Sequence, residues 1–103
     1  MNKYIHCVLY CISEYKIEPY EVQFIKNITN IADINQVPVM IVLTKSISEK
    51  KGKEFKNYLE KMNLNVVDIV PVLAKDYEID DNYTKKAYGL DILLKSISKK
   101  LPK

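Results

Sequence analysis

Val37-Pro38-Val39-Met40-Ile41-Val42-Leu43-Thr44-Lys45-Ser46 is the stretch that decides how this chain folds. It is an apolar run, rich in β-branched residues, that stops abruptly at Thr-Lys-Ser. The run is too short to span a membrane and reads as a strand, about Val37 to Thr44, buried on both faces. Such strands belong mainly to parallel sheets covered by helices, and ligands bind just past the C-terminal ends of their strands. Thr44, Lys45 and Ser46 stand at that end.

Upstream, Tyr4 to Ile12 is a second nearly apolar run and predicts the first strand; its one polar member, His6, reads as a strand-end residue. Ser13 to Glu18 is loop-like, and Pro19 suits the first turn of a helix. Phe24, Ile25, Ile28, Ile31 and Ala32 then recur on one helical face. That helix should end near Asn35, ahead of Pro38. Downstream, Ser46 with Glu49 has the spacing of a capping box and predicts the start of the next helix. Phe55, Tyr58, Leu59 and Met62 give its stripe, and Asn63 and Asn65 bracket its exit.

Val66 to Ala74 predicts a third strand. Pro71 inside it cannot donate to a ladder, which places the strand at a sheet edge or on a bulge. Lys75 to Tyr88 reads as a solvated loop. It carries Asp76, Glu78, Asp80 and Asp81 but lacks the spacing and glycine of a calcium loop. Gly89 opens the last helix, with Leu90, Leu93, Leu94, Ile97 and Leu101 as its stripe. Lys-Ser-Ile-Ser occurs at Lys45 and again at Lys95; one copy ends a strand and the other lies in a helix, so the repeat reads as chance.

The order β-α-β-α-β-α predicts a three-layer α/β fold with a three-stranded parallel sheet and right-handed crossovers. The first two helices should share one face, and the last should cover the other.

Bulk properties narrow the function. A chain of 103 residues, 48% hydrophobic and 28% charged, has the composition of one soluble globular domain. No segment has the length of a membrane helix, and the N-terminus has no signal-peptide pattern. All 16 basic residues are lysine and the net charge is +3. The missing arginines argue against nucleic-acid binding, where bidentate contacts dominate. Clusters such as Lys50-Lys51-Gly52-Lys53 and Lys99-Lys100 read as solvated faces. Cys7 and Cys11 sit about 13 Å apart along one strand, beyond disulfide reach. They read as two small core residues, kept as thiols in a reducing cytoplasm.

With these elements placed, nearly the whole chain resembles the C-terminal half of a P-loop GTPase domain. The first strand looks like the one following the second switch region. Val37 to Ser46 looks like the strand ending in the guanine-recognition motif, N-K-x-D or T-K-x-D. Val72-Leu73-Ala74-Lys75 looks like the strand ending in S-A-K, and Gly89-Leu90-Asp91-Ile92-Leu93 looks like the G-[LI]-x-x-L that begins the final helix. A group of Era- or dynamin-like bacterial and protist GTPases carries T-K-S here. The chain departs from the wider family at Ile47, where an aspartate normally reads guanine, and at Leu73, where serine is usual.

The resemblance implies nucleotide-binding residues Thr44, Lys45, Ser46, Ala74 and Lys75. The stems of Lys45 and Lys75 would lie on opposite faces of the base, and the Ala74 N–H would meet its carbonyl. Thr44 would tie the two loops together. Ser46, or a backbone group beside it, would take over part of the lost aspartate's role; the plainer expectation for Ser46 is a helix cap. With only Gly52 and Gly89, the chain has neither a phosphate loop nor a D-x-x-G switch. The resemblance therefore makes it the trailing part of a larger GTP-hydrolysing switch. GTP or GDP, with Mg²⁺, would be gripped mainly by the other half, and this chain alone would be inactive and bind nucleotide poorly. The alternative is a non-catalytic pseudo-GTPase or α/β interaction module. One feature supports this alternative: the resemblance implies that the first strand pairs with a strand outside this chain, so its edge and the underside near Cys7, Leu9 and Cys11 should be exposed here, which predicts a homo-oligomer.

Overall fold

Strand β2 (Val39–Thr44) lies at the centre of the molecule and is buried along all but its last residue. The computed structural model describes residues 7–100. β2 is flanked on one side by β1 (Val8–Ser13) and on the other by β3 (Asp68–Pro71), both parallel to it, in the order β1-β2-β3. Helices α1 (Pro19–Ile34) and α2 (Glu49–Glu60) connect the strands. The result is a three-layer, Rossmann-like α/β arrangement.

Alternation along β2 builds two cores. Ile41 and Leu43 join Ile12 and Ile69 beneath Ile25 of α1 and Leu59 of α2. Met40 and Val42 join Val70 and Val72 on the opposite face, where Leu93 and Ile97 of α3 (Leu90–Lys100) cover them. The first two helices thus share a face and the third takes the other, as the alternation of elements requires. Pro71 ends β3, which is an edge strand, so its missing N–H interrupts no ladder.

Four expectations need correction. Lys75 to Tyr88 is not a loop: β4 (Tyr77–Asp80) and β5 (Tyr83–Lys85) form an antiparallel hairpin. Its ends are closed by Leu73 and Tyr88, which exchange backbone hydrogen bonds of 3.0 and 2.9 Å. The Asp76 carboxylate accepts from Ala87 N–H at 2.8 Å and lies 3.4 Å from Lys86 Nζ. The Ala87 bond and then the lysine hold Asp76 below the usual carboxylate range. Second, α2 is capped by Ser48, not Ser46: the Ser48 hydroxyl accepts from Lys51 N–H at 3.1 Å. Third, the apolar face of α1 splits. Ile25 and Ala32 are buried, while Phe24 and Ile31 are exposed. The helix overlies the edge strand, and the flank beyond that edge has nothing to pack on. Fourth, Leu90 and Leu94 of α3 are exposed, with only Leu93 and Ile97 reaching the core, and Tyr58 of the expected α2 stripe is exposed as well. The expected start of the first strand at Tyr4, with His6, and Leu101 lie outside the described residues.

Gly89 is required where it stands. Its φ is +91°, and a Cβ there would collide with the Pro71 carbonyl oxygen. The turn into α3 therefore passes directly over the end of β3.

Candidate functional site

The C-terminal ends of β2 and β3 lie side by side and point the same way. Val72 N–H donates to the Leu43 carbonyl at 2.8 Å, and Ser46 N–H donates to the Val72 carbonyl at 3.0 Å. The segments 44–46 and 72–75 therefore leave the sheet together. Lys45, Ala74 and Lys75 are all exposed there. Lys45 has φ +54°, a left-handed conformation uncommon for a side-chain-bearing residue. Glu14 and Tyr15, at the end of the neighbouring β1, also have positive φ, +59° and +55°. Left-handed residues thus gather where the strands end. Gln36, Asn63 and Asn65 share the conformation, but they lie in the turns after α1 and α2, where it is ordinary.

Thr44 is half-buried. Its hydroxyl donates to the Ile12 carbonyl at 3.4 Å, so it ties β2 to β1 and does not join the two lysine-bearing loops. Ser46 differs from its neighbours in being fully enclosed, at 0% exposure. Its Oγ is 2.9 Å from the Tyr15 hydroxyl and 3.0 Å from the Tyr88 hydroxyl. Tyr88 also donates to the Ser46 carbonyl at 2.6 Å. Tyr15 bridges to Ser48, accepting from its N–H at 3.1 Å and lying 2.9 Å from its carbonyl. Gly52 of α2 packs on the same group; a Cβ at that position would stand 2.7 Å from Ser46 Oγ. The residue after Lys45 is therefore a buried polar knot joining the β1–α1 loop, the β2–α2 loop and the segment before α3. All its hydroxyls are satisfied, as burial demands.

Around this knot, Phe55 lies edge-on to Tyr15 at 6.2 Å and stacks on Tyr58 at 5.9 Å. Burial raises the Tyr88 hydroxyl above the ordinary phenol range. Lys85 sits 5.2 Å over the Tyr88 ring and 3.0 Å from Glu49, whose carboxylate raises the lysine's pKa. Ile47, half-buried, offers no acceptor.

A groove of about 860 Å³ runs along the free side of β3 between α2 and α3. Lys53, Pro71, Tyr88 and Ile92 are among its walls. It touches the knot through Tyr88, but none of the five sequence-predicted residues lines it. Among the described residues there is no group of three or more His, Cys, Asp or Glu side chains placed to hold a metal ion. Nor is any helix among them long and apolar enough to cross a membrane. Both cysteines are free thiols; Cys7 is half-buried and Cys11 is exposed, not a core residue as its strand composition suggested.

The structure thus brings Thr44, Lys45, Ser46, Ala74 and Lys75 to one end of the sheet, with Lys45, Ala74 and Lys75 on the surface and Ser46 beneath. Tyr15, Ser48 and Tyr88 carry no sequence signal that marks them for this site. They are 31, 2 and 42 positions from Ser46, and no local spacing announces a contact between the tyrosines and that serine. Comparison with known proteins supplies no relative: no family model, curated protein or solved structure matches this chain.

Proposed function

We propose that this chain forms the base-binding side of a guanine-nucleotide site in a GTPase-type molecular switch, with the phosphates and Mg²⁺ held by residues outside these 103. The observation that carries this is the shared exit of β2 and β3, each leading to an exposed lysine. In open parallel α/β sheets this is where ligands bind. In this arrangement the stems of Lys45 and Lys75 sandwich the purine, and the Ala74 N–H donates to the base carbonyl. Thr44 and the enclosed Ser46 act from below by holding the Lys45 turn in its left-handed conformation. Ile47 cannot accept from the ring N–H groups, so selectivity for guanine is weaker than an aspartate would give. Hydrolysis belongs to the intact switch, and the isolated chain is inactive.

Titration of a fluorescent guanine nucleotide into this chain, and into a polypeptide in which a phosphate loop precedes it, tests the proposal. Binding should be tight only in the longer protein, and should fall at least tenfold in the double variant Lys45→Ala, Lys75→Ala. Unchanged affinity in that variant would sink the assignment.

A second function is favoured by one specific observation. Tyr15 and Tyr88 seal the space behind Lys45, as in a loop built for rigidity and not for ligand exchange. On that basis the chain is a non-catalytic α/β interaction module, and nucleotide would bind in neither polypeptide.

A further inference from the structure

Tyr88 stands at the foot of the β4–β5 hairpin and touches both loops that carry the exposed lysines. Its main chain pairs with Leu73: Tyr88 N–H donates to the Leu73 carbonyl at 2.9 Å, and Leu73 N–H donates to the Tyr88 carbonyl at 3.0 Å. Its side chain reaches the other loop, 42 positions back in sequence. There the hydroxyl donates to the Ser46 carbonyl at 2.6 Å and lies 3.0 Å from Ser46 Oγ.

Each contact falls beside a group that would meet the base. Peptide units are planar and trans, so the C=O and N–H of one unit point in opposite directions. The Leu73 carbonyl and the Ala74 N–H belong to one such unit. With the carbonyl turned to Tyr88, the N–H of the exposed Ala74 is aimed the other way. In the second loop, Lys45 has φ +54°, a conformation that persists in a residue with a side chain only where its surroundings over-determine it. They do so through Ser46. Its N–H donates to the Val72 carbonyl at 3.0 Å, and its own carbonyl is held by Tyr88. Ile47 N–H closes the turn on the Lys45 carbonyl at 2.9 Å. Ser46 is fully enclosed, so without the Tyr88 hydroxyl its carbonyl would lose a partner in a buried place. The Tyr88 ring is held separately, under Lys85 at 5.2 Å, and Lys85 is held in turn by Glu49 of α2 at 3.0 Å.

We infer that Tyr88 is the positioning residue of the base clamp: its main chain aims the Ala74 N–H, and its hydroxyl fixes the Lys45 turn. One residue thereby sets both sides of the gap that the purine enters. The tie between the two loops, which the resemblance assigns to Thr44, is made by Tyr88. This rests on the base-binding role proposed above. Tyr88 touches no ligand in this scheme and acts through Lys45 and Ala74.

Tyr88→Phe keeps the ring beneath Lys85 and removes only the hydroxyl; circular dichroism should show the variant folded. Hydrogen exchange of the free chain, followed by NMR, should then speed up at the Ser46 amide by at least about tenfold while the Ile41 amide, in the middle of β2, is unchanged. Tyr10→Phe, which removes a hydroxyl bond of 3.0 Å to Glu21 elsewhere, should leave Ser46 exchange as it is. In the polypeptide with a preceding phosphate loop, Tyr88→Phe should weaken binding of fluorescently labelled GDP at least about fivefold, because fewer molecules hold the turn ready. In a Lys45→Ala background the same substitution should cost less than about twofold, since its effect passes through Lys45. Unchanged Ser46 exchange, equal acceleration at Ser46 and Ile41, or the same loss of affinity in both backgrounds would each overturn this inference alone. A longer polypeptide that binds no labelled GDP before any substitution would take down the base-binding role and this inference with it.

Discussion

Strands β1 (VLYCIS) and β2 (VMIVLT) pair residue for residue, from Val8 opposite Val39 to Ser13 opposite Thr44. Five successive residues of β2 are buried, whereas along β1 only Ile12 is. Both strands have the composition of an interior strand, but only one has neighbours on both edges and helices over both faces. Composition therefore records the environment a strand is suited to. At β1 these residues meet only part of that environment, and Leu9, Cys11 and Ser13 are left exposed.

The largest expected effect would test that contrast directly. Ile41→Ala should destabilise the fold by about 2–5 kcal/mol, because the side chain is fully enclosed and the cavity cannot collapse. Leu9→Ala should change stability by no more than about 0.5 kcal/mol at concentrations where the chain is monomeric. Urea denaturation reads both; equal losses would mean that β1 is as enclosed as β2. The next effect arises just past the end of β2. Ser46→Ala removes a buried hydroxyl shared by two tyrosines and should cost about 1–3 kcal/mol. Ser48→Ala removes only a helix cap, at about 1 kcal/mol. The reverse ranking in the same assay would return the cap to Ser46.

The smallest effect sharpens the asymmetry between the two faces of β1. Tyr10 points to the covered face, where burial and then its bond to Glu21 raise its pKa to about 12. A pKa raised on folding contributes stability that is complete below the unfolded value of about 10 and is lost as pH climbs towards 12. Burial shifts Tyr88 in the same direction. Denaturation midpoints should therefore fall between about pH 10 and 12, and Tyr10→Phe should flatten part of that fall. An unchanged slope in the variant would show that Tyr10 contributes none of it.

Much of this architecture is legible in the chain itself. The continuous apolar runs and the helical stripes carry the β-α-β-α-β-α order, the sharing of faces and the edge position of Pro71. The expectation of an exposed underside at Leu9 and Cys11 rests on the family resemblance, since the apolar run alone reads as a strand buried on both faces. The features that are not legible depend on position in the finished molecule. Phe24, Ile31, Leu90 and Leu94 have the spacing of core residues, and only the placement of α1 and α3 over the sheet leaves them bare. Tyr77 and Ile79 alternate as a strand should, but Asp76, Glu78, Asp80 and Asp81 make the segment resemble a solvated loop. Ser46 and Ser48 both suit a cap, and the choice between them is made by Tyr15 and Tyr88, far away in sequence.

The backbone exchange between Leu73 and Tyr88 has a consequence for how tolerant this chain is of change. The excursion from 74 to 87 leaves and returns at one point, with Gly89 pressed against Pro71 immediately after it. Its length is thereby decoupled from the sheet and from α3, since closing a longer or shorter surface segment between fixed ends changes the entropy only slowly. The hairpin is a place where foreign sequence can be spliced in, or the ribbon trimmed back, while the body beneath keeps its shape.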